Sequence, residues 1–172
     1  MPERTLPGCA PRERLSSPKM PRVSEQVLIP HNADDLYALV LDIRKYPEFI
    51  KWITRVDVTQ EEGARTESYT CLGKASVRFS GFNEKFATFV NGDPLARKID
   101  VKLESGPFRH LRNRWQFDPR DDGKTRVHCF IDYEFKNPVL RLLARTNSRL
   151  AVEKIIDAFR IEADRRFARA AQ

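Results

Sequence analysis

The chain has 172 residues, of which 41% are hydrophobic and 32% charged, and a formal net charge of +7. That length suits one domain with its own core and no need of disulfide or metal staples. No apolar run approaches the ~18 residues of a membrane-spanning helix, and none near the N-terminus has the character of a secretory signal, so a cytoplasmic protein is expected.

Residues 1–19 contain four prolines and little apolar periodicity. They read as a disordered tail, which leaves 20–170 as the domain and makes Met20 the expected natural start. A first strand is predicted over Val23–Ile29 and stopped by Pro30. Asn32 is placed to cap a helix over Ala33–Leu41, with Asp34 and Asp35 in its first turn. A second short helix is expected over Arg44–Phe49, around Pro47.

Beyond it the apolar period becomes two. Val56 and Val58, then Ile99, Val101 and Leu103, then Leu111, Trp115 and Phe117, then Val127, Cys129, Ile131, Tyr133 and Phe135 alternate with polar neighbours. This is the mark of an antiparallel sheet with one wet face. Glu62-Gly63, Asn91-Gly92-Asp93-Pro94, Ser105-Gly106-Pro107 and Asp121-Asp122-Gly123 supply the turns. In Ala75–Val90 the phenylalanines do not share one parity, and Gly81 is expected to form a bulge.

Asn137-Pro138 opens a long helix to about Ala168, with Val152, Ile155, Ile156, Phe159 and Ala163 at helical spacing. Thr146-Asn147-Ser148 is expected to kink it or to face a wet cavity. The order predicts an α+β fold: a curved antiparallel sheet of about seven strands around a long C-terminal helix, with two short helices after the first strand. One helix cannot fully cover a strongly curved sheet, and the uncovered volume is expected to be an apolar cavity.

Several motifs together carry a resemblance: Pro30 with Leu36-Tyr37-Ala38-Leu39-Val40, the segment Asp42–Phe49, Trp52, Gly81–Phe86, Gly106-Pro107-Phe108 followed by Leu111 and Trp115-Gln116-Phe117, and Asn137-Pro138. Over Pro21 to Phe167 the chain resembles the coenzyme Q-binding proteins of the START-like (polyketide cyclase/lipid-transport) superfamily. The resemblance implies the helix-grip fold and a lipid chaperone that binds ubiquinone, supporting respiration or quinone biosynthesis. Ribosome-association toxins share the same motifs, and polyketide cyclases share the fold.

Candidate cavity-lining residues are Phe49, Trp52, Phe79, Phe82, Phe86, Phe108, Trp115, Phe117, Leu143, Ile155 and Phe159. Glu84 shares parity with Phe82 and Phe86; facing the cavity it would donate a hydrogen bond to a quinone carbonyl, and turned out by the bulge it would meet Lys85 or a neighbouring strand. A pocket of roughly 300–1,000 Å³ is expected, either an open-ended tunnel or a cavity that shields only the head end, with Arg44–Trp52 and Ser105–Phe108 as its gate. Lys45, Lys51 and Arg109 flank that mouth and would meet anionic headgroups.

The chain carries no GxSxG, Gly-rich phosphate loop or metal motif. Cys9, Cys71 and Cys129, and His31, His110 and His128, lack metal-ligand spacing. Asp34-Asp35, Glu61-Glu62 and Asp121-Asp122 fall at a helix start and in turns. No catalytic residue, cofactor or metal is therefore expected. The expected partners are a polyprenyl quinone and, transiently, the inner face of a respiratory membrane, with no role in binding DNA. The alternative is contact with a ribosomal subunit, in which Arg109, Arg112, Arg114 and the C-terminal arginines neutralise RNA phosphates, and the third reading is an enzyme like the polyketide cyclases and aromatases of this fold.

Overall fold

Alternating side chains build a single antiparallel sheet from β1 (Arg22–Ile29), β2 (Ile53–Gly63), β3 (Tyr69–Phe79), β4 (Phe82–Asp93), β5 (Lys98–Ser105), β6 (Phe108–Pro119) and β7 (Thr125–Phe135). The spatial order is β1-β7-β6-β5-β4-β3-β2. Between β1 and β2 lie α1 (Ala33–Leu41), a 3₁₀ turn (Ile43–Lys45) and the single-turn α2 (Tyr46–Phe49); α3 (Pro138–Phe167) closes the chain. The structure, a computed structural model, describes residues 22–64, 66–79 and 81–168. The expected tail and the start at Met20 lie outside them. Within them the helix-grip arrangement is present: a curved seven-stranded sheet, two short helices after the first strand, and one long C-terminal helix.

The caps form as the side-chain chemistry requires. Asn32 Oδ1 accepts from the Asp34 amide at 2.8 Å, and Asn137 Oδ1 accepts from the Val139 amide at 2.8 Å. Pro47 sits in the first turn of α2, where a missing N–H costs nothing. Leu36, Leu39, Val40 and Leu41 of α1 are buried. A Cβ on Gly92 would fall 2.6 Å from the Tyr37 hydroxyl and 2.8 Å from Leu41 Cδ1. The absence of a side chain there is what lets α1 lie so close to β4.

Two expectations are corrected. Gly81 does not bulge a single strand. It lies at φ +83° in the turn between β3 and β4, where Phe79 pairs with Phe82. A tight hairpin moves the inward positions from odd numbers on β3 to even numbers on β4, which is the parity slip visible in the sequence. Nor do Thr146–Ser148 break α3 or face a cavity, since they lie inside one continuous helix. Thr146 Oγ1 donates to the Leu143 carbonyl at 3.0 Å and Asn147 Nδ2 to the same carbonyl at 3.2 Å. The polar side chains satisfy themselves on the preceding turn, and Thr146 and Asn147 face solvent rather than a cavity.

The sheet has two unlike ends. At one, α1 packs beside Gly92. At the other meet the β3–β4 hairpin, the β5–β6 turn, the end of β7 and the start of α3.

Candidate ligand-binding cavity

Phe159 of α3, 3% exposed, is the hub of the helix–sheet contact. Its ring meets Tyr46 at 5.2 Å, Phe49 at 5.3 Å and Trp115 at 5.3 Å, all edge to face. Beside it lies an apolar cavity of about 190 Å³. The α1–α2 region contributes Val40, Ile43, Tyr46, Ile50 and Trp52 to its wall, and α3 contributes Ile155 and Phe159. The sheet supplies Ile53, Val56, Gly73, Ala75, Phe86, Thr88, Val90, Ile99, Val101, Leu111, Asn113, Trp115 and Ile131.

Of the residues singled out in the sequence, Trp52, Phe86, Trp115, Ile155 and Phe159 meet on this wall. The other seven do not. Phe49 stands behind Phe159. Phe117 is 1% exposed, stacked behind Trp115 and edge-on to Tyr37, in the core. Phe108 belongs to a separate aromatic cluster, 4.6 Å from Phe135 and 5.5 Å from Phe86. Phe79 and Phe82 face each other at the hairpin tip, and Phe79 is 46% exposed. Glu84 is half-buried on the inward parity of β4, beyond the wall, and Leu143 is half-buried on the first half of α3. Parity fixes which face a strand residue takes, but not its depth along the strand.

Sequence reasoning missed the polar side chains on the wall. Asn113 lies at inward parity between Leu111 and Trp115, and that polar break in an apolar row was its signal. Its Nδ2 donates to the Phe130 carbonyl at 3.0 Å, and its Oδ1 accepts from Trp115 Nε1 at 2.7 Å. The second Nδ2 hydrogen meets only the Cys129 thiol at 3.8 Å, a weak acceptor. Thr88 is 7% exposed and opposes Gly73 across the strands. A Cβ on Gly73 would sit 2.5 Å from Ile43 Cδ1, so the glycine leaves room for Ile43 to reach the wall.

Tyr46, Cys129 and Tyr37, in and behind this region, keep their protons at physiological pH. Burial holds the Tyr46 hydroxyl far above its usual range, and that hydroxyl donates to the Val40 carbonyl at 2.5 Å. Burial likewise pushes the Cys129 thiol up to about 12 and, with Asp93 adding to it, the Tyr37 hydroxyl up to about 12.

At the hairpin end of the sheet the Gly-Pro-Phe turn is set by one contact. Gly106 has φ +139°, and a Cβ there would lie 2.5 Å from Phe86 Cβ. The Lys136 amide ties this turn to the end of β7 through the Pro107 carbonyl at 2.7 Å. The Arg78 amide ties the hairpin to the Trp52 carbonyl at 2.8 Å. Of the cations expected at the mouth, Lys45 pairs with Glu48 at 2.9 Å and Arg109 approaches Glu134 at 3.8 Å. Lys51 is exposed with no carboxylate partner among the described residues. The cavity is smaller than the roughly 300–1,000 Å³ of common ligand sites. It offers space for one ring-sized group rather than a tunnel for a long chain.

Comparison with known proteins places this geometry. The family described as polyketide cyclase/dehydrase and lipid transport matches residues 29–160. The ribosome association toxin RatA of Rickettsia prowazekii is 30% identical over 138 residues, 77% of this chain and 88% of that protein. A mitochondrial coenzyme Q-binding protein of Schizosaccharomyces pombe is 23% identical over 133 residues, 77% and 80% of the two chains. Among solved structures, an 18 kDa protein of Caulobacter crescentus is 37% identical with a TM-score of 0.71, over 85% of this chain and 97% of that one. A START superfamily protein of Mycobacterium smegmatis superposes with a TM-score of 0.71 at 20% identity, over 84% and 97%. A Streptomyces aromatase/cyclase does so with a TM-score of 0.70 at 18% identity, over 86% and 96%.

Proposed function

We propose that this chain, which belongs to the polyketide cyclase/dehydrase and lipid transport family, binds the head ring of a polyprenyl quinone such as ubiquinone and chaperones it without covalent chemistry. The observation that carries this reading is the pairing of an apolar wall with two hydrogen-bond donors, the Thr88 hydroxyl and the second Nδ2 hydrogen of Asn113. A quinone ring presents apolar faces and carbonyl acceptors but no donor, so donors on an otherwise apolar wall are the matching chemistry. Ring burial gains about 25 cal/mol per Å². The tail would lie outside the cavity, because 190 Å³ accommodates the ring alone.

Chaperoning rather than turnover is supported by the wall itself. Its one titratable side chain, Tyr46, has its hydroxyl committed to a backbone carbonyl, which leaves no acid–base pair facing a bound ring. Lipid extraction and mass spectrometry of the protein, purified at high salt from a quinone-producing host, tests the reading. Ubiquinone near one per chain is expected. A cavity filled by a different lipid class, or an empty one, overturns it.

A second reading, contact with a ribosomal subunit, is favoured by a specific feature of the convex face. Lys102 and Arg112 are cross-strand neighbours there, and Phe89, 49% exposed, stands opposite Lys102. Arg114 is neutralised by Asp100 at 2.7 Å, whereas Arg112 has no carboxylate partner among the described residues. Phosphate contacts make such binding steeply salt-dependent. Co-sedimentation with ribosomal subunits that is lost in Arg112→Glu and at high salt would establish it.

A further inference from the structure

The two halves of α3 are built for different surroundings. In residues 138–151 only Leu140 is buried, whereas 152–167 buries Val152, Ile156, Phe159, Glu162 and Ala163. The second half is also clamped. Glu162 accepts from Arg165 and Arg166, each at 2.6 Å, and Asp164 meets His31 at 2.6 Å.

The first half instead exposes Val139 (56%), Leu142 (64%) and Leu150 (50%) along one stripe. Arg141, Arg145 and Arg149 are interspersed with them, and no acidic residue occurs on the helix before Glu153. Arg141 and Arg149 reach Glu134 and Glu25 on the sheet, and Arg145 has no carboxylate partner among the described residues. This half starts at the hairpin end of the sheet. There the β3–β4 hairpin exposes Phe79 next to Arg78, and Lys51, Lys85 and Lys136 are exposed too.

Exposed leucines among arginines, with no carboxylate on the same stretch of helix, match a surface that is apolar within and negative at its boundary. We propose that the first half of α3, together with the β3–β4 hairpin tip, docks on an anionic lipid bilayer. This face lies at the end of the sheet nearest Trp52, Phe86 and Leu111 of the cavity wall, so a lipid entering there would pass from membrane to cavity without crossing bulk water. The inference rests on the lipid-binding reading above and adds the partner and the face that meets it.

Flotation of the full chain with phosphatidylcholine vesicles, with and without phosphatidylglycerol, tests it. Wild type is expected to float with the anionic vesicles and to stay below with the neutral ones. Leu142→Glu should reduce flotation at least about tenfold, since it sets a charge against the acyl region. Leu95→Glu, at a 90% exposed position in the turn at the opposite end of the sheet, should leave it unchanged. Equal flotation with neutral vesicles, equal loss in both variants, or no effect of Leu142→Glu each overturn the proposal. So does a wild type that ignores vesicles and instead retains ribosomal subunits through Leu142. Co-purified lipid measured on the same samples separates the two readings. An empty cavity in a chain that floats removes only the quinone, whereas a filled cavity in a chain that does not float removes only the docking face.

Discussion

The indole Nε1 of Trp115 donates to Oδ1 of Asn113 at 2.7 Å, two residues away on the inward face of β6. This bond decides which way the Asn113 amide points. With Oδ1 taken, the NH₂ group must face away from the indole, and one of its hydrogens goes to the Phe130 carbonyl. The other is held only by a thiol, and an incoming carbonyl would outcompete that contact. The Trp–Asn pair thus orients a donor in a site where water is scarce.

Replacing Asn113 by Leu should therefore act twice. The Trp115 N–H loses its acceptor, at a cost of about 1–3 kcal/mol in stability. Affinity for a short-chain ubiquinone, followed by quenching of Trp52 and Trp115 fluorescence, should fall by about tenfold, the equivalent of one hydrogen bond. Thr88→Val should weaken binding to a similar degree while leaving the thermal midpoint near that of wild type. An unchanged dissociation constant in both would remove these donors from head-group recognition.

Ala75 offers a way to fill the cavity from the sheet side. Ala75→Leu adds apolar atoms into empty space, so the thermal midpoint should hold or rise rather than show the ~1–3 kcal/mol loss typical of overpacking. Co-purified lipid should drop out. A variant that is stable and still loaded would mean that the ligand lies elsewhere.

Phe159 is too central to serve as a probe of binding alone. Phe159→Ala breaks contacts with three rings and should cost about 3–5 kcal/mol, read from denaturant unfolding. An aspartate at this 3% exposed position should prevent folding rather than report on the ligand.

The Glu162 clamp predicts a pH dependence. The hydrogen bond from Arg165, joined by Arg166, holds the Glu162 carboxyl below its ordinary value of 4.5 even though burial opposes it. A carboxyl depressed in the folded state stabilises fully above the unfolded value, and that contribution is lost as pH falls through the folded one. Glu162→Gln should cost about 1–3 kcal/mol at neutral pH. The gap to wild type should narrow below pH 4.5. Urea titrations from about pH 7 to about pH 3 would show it, and a gap that stays constant across that range would contradict the clamp.

Local chemistry made most of the fold legible. The caps at Asn32 and Asn137, the alternation in β5 to β7 and the Gly-Pro-Phe turn each act within a few residues, and each appears where its chemistry placed it. The β3–β4 hairpin was obscured because a tight turn and a bulge produce the same parity slip among phenylalanines. The cavity was half legible. Periodicity separated inward from outward residues, but Phe117 and Phe86 share an inward face and differ in depth, one in the core and one on the wall. Asn113 was passed over because a search for aromatics skips the polar residue among them.

The uneven burial of α3 also sets where the molecule can open. Amide exchange should report two units within one continuous helix. Residues 152–167 should exchange only with global unfolding, and residues 138–151 through a cheaper, local excursion. A helix so divided can open on the timescale of fraying one end, while the rest of the fold keeps its full lifetime.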